Sequence, residues 1–318
     1  MSHEQPSARS ALRKAWNRLI WPVWNRDERR LRAPLRAVLP IVVTFGALAA
    51  SQPVVRARFA HPVRETVEVL TLLVVLVGAV LLSSRLLDRR PLGEFGLSLD
   101  RAWWHSFAAG GLIATGINAG ALAVAVGAGW ATIAGFTQGS GDLSFAPAVT
   151  LVFCYVATAA AWEEVTIRGA MLKNVAEGAE GYLPRWAAVG LAVCLSTAVF
   201  AFLHGGKISA PSQYGYYLVA GLVLSGAYVV TGDLALSIGF HVFYNFTQSV
   251  VFGLGHSQQT PELLVVELAG PERWTGEEGL VFALFAVLGG VFVLLYVRRR
   301  DGSLRIDDRV TRWTPLQE

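Results

Sequence analysis

The sequence has few charged residues, two cysteines and neither of two short motifs that mark common hydrolases. Only 16% of its 318 residues are charged, whereas soluble domains carry about 25%. Two cysteines cannot build a disulfide framework or a four-cysteine zinc site. The serine-nucleophile pattern G-x-S-x-G and the zinc-protease pattern H-E-x-x-H are both missing. These absences argue against a soluble domain and against the enzymes that those two motifs define.

Eight apolar stretches fill the middle of the chain. Each is close to the roughly 20 residues that cross a hydrocarbon core of about 30 Å, and backbone in lipid must bond to itself, which favours helices. The stretches lie near residues 37–52, 67–84, 103–128, 147–177, 186–204, 215–231, 234–252 and 279–297. The sequence therefore predicts an all-α, polytopic transmembrane helical bundle of about eight spans. Cys154 and Cys194 both lie in apolar runs, so we expect their thiols to be buried as small hydrophobic groups.

The division of the chain follows from these stretches. We predict a transmembrane bundle at 37–297, preceded by a basic, cytoplasmic or interfacial tail at 1–36 and followed by a basic cytoplasmic tail at 298–318. Because the net charge of +4 resides mainly in tails and short loops, it indicates orientation in a lipid bilayer and no nucleic-acid partner.

The distribution of lysine and arginine orients the predicted spans. Nine of these residues lie in 1–36, four arginines lie within 85–101 and six within 298–312, all on one side of an eight-span bundle. The opposite loop 129–146 has none. Since basic loops stay in the cytoplasm, we predict a multi-pass protein of the cell membrane with both termini cytoplasmic. The first loop disagrees with this orientation, because it contains Arg56, Arg58 and Arg64.

The fourth stretch runs from apolar sequence directly into two acids. Burying an ionisable group in a bilayer costs about 2.5–3.5 kcal/mol on insertion scales, so Glu163, Glu164 and Arg168 need a reason to be there. Glu164 and Arg168 are four residues apart and share one helix face, which predicts an ion pair. Glu163 is rotated about 100° away and has no such partner, so it is the better candidate for a reactive carboxylate. The alternative is a solvated cytoplasmic helix end.

Two further stretches contain polar pairs at helical spacing. Phe200 and His204 lie one turn apart at the end of the fifth stretch, and His241 and Asn245 lie one turn apart within the seventh. A single histidine at a helix end is often structural, and a His–Asn pair can be a polar contact between membrane helices. Together with Glu163, however, these residues allow one shared cavity below the lipid surface.

Such a cavity would suit the hydrolysis of an amide bond. A carboxylate beside a histidine can activate water, here Glu163 with His204. A second histidine with an asparagine, His241 and Asn245, can donate hydrogen bonds to the oxyanion of a tetrahedral intermediate. The same residues could instead hold zinc as a three-ligand site with an open position, so a zinc-dependent variant of the reaction stays an alternative to a site without a cofactor.

The three motifs, in this order and on separate spans, resemble one known family. E-E-x-x-x-R, F-x-x-x-H and H-x-x-x-N are present at Glu163 to Arg168, Phe200 to His204 and His241 to Asn245. They are similar to those of the CPBP family, also called Abi, which includes CAAX prenyl proteases and bacteriocin-processing enzymes. The segment RRPLGEFGLSL at 89–99 also looks like the loop that precedes the family core, so the resemblance covers about 89–252.

The resemblance implies an intramembrane endopeptidase of the glutamate type. It assigns Glu163 and His204 to water activation and His241 with Asn245 to the oxyanion, while Glu164 and Arg168 look supporting, as does Phe200. The expected partner is a peptide or a membrane-anchored protein. The family has long been described as metal-dependent. Two other functional hypotheses use the same residues: a non-catalytic immunity or scaffold protein that binds a peptide, and a transporter with a proton-coupled Glu–His pair.

Overall fold

The computed structural model of the protein describes residues 22–208, 213–255, 260–275 and 278–316. Its main elements are eight helices that run alternately in opposite directions. They are α1 (Ala33–Arg58), α2 (Val63–Leu87), α3 (Arg101–Gly127), α4 (Phe145–Glu180), α5 (Arg185–Leu203), α6 (Tyr214–Thr231), α7 (Ala235–Phe246, continued by Thr247–Val251) and α8 (Leu280–Asp301). The predicted polytopic helical bundle is confirmed.

Seven helices in the described part of the chain are long and apolar enough to cross a membrane. The exception is α7, which corresponds to the predicted span at 234–252. Its regular part has 12 residues, and most of them are buried between other helices. Helix α7 is therefore a short internal helix of the bundle. This explains how it can carry polar side chains with little contact with lipid.

The alternating helix directions give the bundle two ends. One end, which we call the tail face, carries residues 22–32, 88–100, 181–184, 232–234 and 302–316. The other, which we call the sheet face, carries 59–62, 128–144, 204–208, 252–255 and 260–275. The sheet face is named for strands β3 (Ala131–Gln138) and β4 (Glu262–Leu268), which pair antiparallel. The smaller strands β1 (Trp24–Asn25) and β2 (Arg30–Leu31) pair on the tail face.

Helices α3 and α7 approach each other closely, and glycine makes this contact possible. A Cβ atom on Gly239 would lie 2.0 Å from the carbonyl oxygen of Phe107, and one on Gly110 would lie 2.4 Å from that of Leu236. Small residues at such crossings let membrane helices pack backbone to backbone. Buried Asn118 of α3 reinforces the contact by donating hydrogen bonds to the Tyr244 carbonyl (2.8 Å) and the Thr247 hydroxyl (2.9 Å). The position of α7 along α3 is thereby fixed.

Both tails pack against the bundle at a buried charged cluster. The tail cluster comprises Arg30, Arg36, Asp88, Arg90 and Glu177. All three arginines donate to the Glu177 carboxylate, Arg36 and Arg90 at 2.8 Å each, and Asp88 lies 3.4 Å from Arg36 and 3.3 Å from Arg90. The arginines are almost fully buried, so Glu177 neutralises charge that water does not reach.

The C-terminal tail completes this cluster. The guanidinium of Arg30 lies 4.0 Å from the centre of the Trp313 ring, and the Trp313 indole donates to the Asp88 carbonyl at 2.8 Å. Lys173 of α4 donates to the Arg309 carbonyl. Residues 303–316 therefore pack against the helices, whereas residues 1–21 of the predicted interfacial tail lie outside the described residues.

The expectation of buried cysteines is wrong. Cys154 and Cys194 are both exposed on the outer surface of the spans. An apolar run predicts a membrane helix, but it does not separate the side that contacts lipid from the side that contacts other helices, because both sides are apolar.

Candidate active site

Helix α4 changes its winding at the two acids. It is regular over Phe145–Glu163 and becomes a wider π-helix over Glu164–Leu172. Wide turns of this kind are rare and often accompany functional sites, because they change the direction of side chains without ending the helix. Here the change separates a partly exposed Glu163, with a side chain 20% exposed, from a fully buried Glu164.

The three predicted motifs meet at the Glu163 carboxylate. Its Oε2 atom lies 3.8 Å from Nε2 of His204 and 3.9 Å from Nε2 of His241. These separations exceed a direct hydrogen bond, but one water at about 2.8 Å from two of the atoms would bridge them. Oε2 of Glu163 is buried and has no hydrogen-bond partner among the described residues. The geometry thus leaves room for a water molecule in contact with an acid and two imidazoles.

His204 is held so that one ring nitrogen is free to face this point. Its Nδ1 lies 2.8 Å from the Phe200 carbonyl, and because a carbonyl can only accept, Nδ1 carries the proton. In the neutral ring Nε2 is then an acceptor. The ring is packed between Phe200 and Tyr217, with both ring centres 4.5 Å away. Phe200 of the F-x-x-x-H motif therefore orients the histidine through its carbonyl and its ring.

His241 is oriented by a buried chain of charges. Its Nδ1 lies 2.9 Å from Oε1 of Glu164, and the same oxygen accepts a 2.9 Å hydrogen bond from Arg168. The predicted Glu164–Arg168 ion pair is present, with both side chains fully buried. Arg168 also lies over the Phe200 ring, 4.5 Å from its centre. The chain Arg168–Glu164–His241 resembles arrangements in which a carboxylate fixes the orientation and proton position of a histidine.

Asn245 lies beside this cluster, in the walls of two cavities. One cavity, of about 610 Å³, contacts His204, His241 and several aromatic side chains; the other, of about 1140 Å³, contacts Glu163 and His204. Asn245 and Gln248 line both cavities. The two cavities therefore flank the cluster and offer space on both sides of a bond held there.

The residues fit zinc poorly. A tetrahedral zinc site with bonds of about 2.0–2.1 Å places its ligand atoms about 3.3 Å apart, which is shorter than the 3.8 and 3.9 Å from Glu163 to the two histidines. In the described part of the chain, no group of three His, Cys, Asp or Glu side chains has a geometry that could hold a metal ion.

Comparison with known proteins agrees with this arrangement. Residues 145–247 match the family model described as type II CAAX prenyl endopeptidase, Rce1-like. This segment belongs to the CPBP, or Abi, family. The Rce1-like segment contains α4 to α7, and with them the motif residues. No curated protein and no solved structure matches the chain.

At the level of the family, the Rce1-like match points to an intramembrane protease of the CAAX or CPBP type. The predicted family is confirmed for residues 145–247. A protease implies a peptide or protein substrate, and the apolar helices imply a lipid bilayer.

Two features of the site were not predicted from the sequence. The first is the bond between Glu164 and His241, which joins residues on different helices and has no local signature. The second is Gln248, which is 4% exposed and has a buried Nε2 atom without a hydrogen-bond partner among the described residues. The sequence could have predicted its place in the site. Gln248 follows Asn245 by three residues and His241 by seven, and this spacing puts all three on one helix face.

Proposed function

We propose that this protein is an intramembrane endopeptidase in which Glu163 and His204 activate a water molecule. The observation that carries the proposal is the convergence of Glu163 with His204 and His241 at 3.8 and 3.9 Å. A general base must lie within hydrogen-bond reach of the proton that it removes, or one water away. This condition is met inside a bundle that limits access of bulk water.

The first chemical step forms a carbon–oxygen bond. Glu163 takes a proton from the water, while Nε2 of His204 accepts the hydrogen bond of the other proton. The water oxygen attacks the carbonyl carbon of the peptide bond, and the carbonyl π electrons move to its oxygen. Collapse of this intermediate breaks the carbon–nitrogen bond, and the proton held by Glu163 passes to the departing amine. The site needs no change of oxidation state and no nucleophilic side chain.

The oxyanion is stabilised by His241 and Asn245. Because Nδ1 of His241 faces Glu164, Nε2 can donate only when the ring is protonated. The Glu164 carboxylate holds the ring by its Nδ1, which leaves Nε2 on the side of Glu163. The Asn245 amide supplies a second donor. One such donor contributes about 2.7–4 kcal/mol to stabilising a transition state.

The decisive experiment replaces the proposed base by its amide. The membrane peptides of cells that produce the intact protein are compared with those of cells that produce Glu163→Gln, and fragments that require Glu163 identify the substrate. We expect cleavage to fall by about 10²–10⁴-fold, the usual contribution of general acid–base catalysis. His204→Ala should give a similar loss. Glu180→Gln, at the tail-face end of the same helix, is the matched control and should cleave normally.

Unchanged cleavage by Glu163→Gln would remove the proposed role of this residue. A cellular phenotype that survives both Glu163→Gln and His204→Ala would favour the non-catalytic peptide-binding hypothesis, and proton-dependent uptake by liposomes would favour the transporter. The zinc-dependent variant predicts that chelation abolishes cleavage and that the purified protein contains metal. We expect neither result, since the distances suit water better than zinc.

The orientation of the protein is part of this proposal. The tail face carries residues 22–32 and 302–316 and most of the loop arginines, so we place it in the cytoplasm. The sheet face then lies outside. The arginines of the first loop belong to the sheet face, and their position there calls for a separate explanation.

A further inference from the structure

Arg56 and Arg64, two of the three arginines of the first loop, line a polar cavity on the sheet face. This cavity, which we call the vestibule, measures about 1290 Å³ and has charged walls that come from the ends of α1 and α2 and from the loop between them. These residues are Arg56, His61, Arg64, Glu65 and Glu68. The loop segment 140–143 forms the opposite side, with Ser140, Gly141 and Leu143.

The vestibule adjoins the cavity that contains Glu163. Val152, Tyr155 and Thr260 line both spaces, so these three side chains form the partition between them. Tyr155 is 38% exposed and the hydroxyl oxygen of Thr260 is buried without a hydrogen-bond partner in the part of the chain that the structure describes. The vestibule and the cavity of the proposed catalytic base are thus separated only by side chains, among them Tyr155.

The charged residues of the vestibule form ion pairs with one another. Glu65 lies 2.7 Å from Arg64 and 3.2 Å from His61, whereas Arg56 and Glu68 are 3.9 Å apart. The Arg56 side chain is 70% exposed. Exposed pairs of this kind contribute about 0–1 kcal/mol to stability, and arginine in an external loop opposes the usual orientation signal. Neither the stability of the protein nor its orientation in the membrane thus explains why these charged residues are here.

The inner cavity has a different character. Beside Glu163, its walls include the apolar side chains of Phe45, Val156 and Trp162. Phe45 is 47% exposed, and in a membrane this side of the cavity faces lipid. A route past this partition would thus join a hydrated, charged space to an apolar space in lipid, with Glu163 at its inner end.

We propose that the vestibule admits the substrate, which is a membrane-anchored polypeptide cut beside its apolar segment. The apolar segment lies against the lipid-facing wall of the inner cavity, and the hydrated flank of the same chain lies among the charged residues of the vestibule. The cleaved bond is presented from the sheet face, opposite the basic tails. This inference rests on the proposed function and adds the direction and the class of the substrate.

Chemical labelling with a charged, membrane-impermeant maleimide tests the route. The test variant carries Tyr155→Cys with Cys154→Ser and Cys194→Ser; the matched control keeps only the native Cys154, which is adjacent in the chain, exposed, and outside the walls of both cavities. Maleimide reacts with hydrated thiolates. We expect the thiol at position 155 to be labelled in intact cells and the one at 154 to stay unlabelled. A bulky label at 155 should lower Glu163-dependent cleavage at least tenfold.

An additional variant fixes the side of entry. Arg305→Cys, in a background without the two native cysteines, places the thiol on the tail face and should react only after the membrane is permeabilised. Labelling of positions 155 and 305 from the same side would overturn the proposed direction. Full labelling at 155 without any loss of cleavage would overturn the route, while Glu163→Gln would still report on the proposed function. A thiol at 155 that stays unlabelled in permeabilised cells would show that no hydrated route exists.

Discussion

Helix α4 carries two buried clusters of charge, about 20 Å apart at 1.5 Å per residue. In the tail cluster, Glu177 accepts hydrogen bonds from three arginines and is itself only 12% exposed. In the candidate site, Glu163 has a buried carboxylate oxygen with no partner among the described residues. In the tail cluster the carboxylate oxygens are hydrogen-bonded to arginines. In the candidate site one carboxylate oxygen is left for a ligand to bind. This difference distinguishes a cluster that holds the fold from one that can bind and react.

The largest expected effect comes from removing the carboxylate of the tail cluster, which should lower the stability of the folded protein. Glu177→Ala leaves the three buried arginines with two other acids, Asp88 beside Arg36 and Arg90 and the partly exposed Glu28 beside Arg30. Removing one partner from such a cluster costs about 3–5 kcal/mol. Thermal unfolding of the purified protein in detergent measures the loss. Glu180→Ala on the same helix should change little. Normal thermal stability of Glu177→Ala would show that the tail cluster does not hold the fold.

Glu164→Gln tests a residue that contacts both the buried Arg168 and the proposed catalytic His241. The glutamine side chain can still accept from Arg168, but it removes the negative charge beside Nδ1 of His241, so we expect the proposed oxyanion donor to be lost. Loss of one such donor lowers the rate by about 10²–10³-fold. Cleavage per folded molecule, compared with Glu163→Gln, is the measurement. A variant that loses folding but cleaves normally per folded molecule would assign Glu164 a structural role only.

Gln248 also has a buried polar atom without a partner, and its substitution should have a smaller effect. Its buried, unpaired amide lines both cavities, and a substrate carbonyl could supply its missing partner. A hydrogen bond of this kind is worth about 0.5–1.5 kcal/mol, so Gln248→Leu should lower kcat/KM by about tenfold and should not lower thermal stability. Gln138→Leu, in the exposed strand β3, is the control. A Gln248→Leu variant that is less stable but equally active would contradict this prediction.

The last prediction concerns the pH dependence of stability and not cleavage, and it depends on Asp233. Burial raises the pKa of this tail-face carboxyl to about 6 from an ordinary value of 3.8. The folded state therefore favours the protonated form, so this contribution to stability is complete below about pH 4 and is lost as the pH rises through about 6. The effect is on the order of 1–3 kcal/mol.

Asp233→Asn should remove this part of the pH dependence, as measured by unfolding between pH 4 and 7. The asparagine oxygen can keep the 2.7 Å hydrogen bond from the Ala235 amide. Asp142→Asn, at an exposed position on the sheet face, should leave the profile unchanged. An identical profile for the wild-type protein and Asp233→Asn would show that Asp233 does not titrate in this range.

Periodicity predicted the helices and the motif pairs, because both depend on local spacing. The Glu164–Arg168 pair and the shared face of His241 and Asn245 follow from one turn of helix. The tail cluster, the Glu164–His241 bond and the pairing of β3 with β4 join residues far apart in the chain, and no local pattern encodes them. The short span of α7 was also missed, since an apolar run does not show whether lipid or other helices surround it.

The contact between Arg30 and Trp313 has a consequence for biosynthesis. The cluster around Glu177 joins Arg30 to Trp313, so it cannot be completed before residue 313 has been synthesised. Until Trp313 leaves the ribosome, one side of the Arg30 guanidinium lacks its aromatic neighbour, and Lys173 lacks the Arg309 carbonyl. A chain truncated before Arg309 would therefore lack two contacts that cover the tail cluster and Lys173.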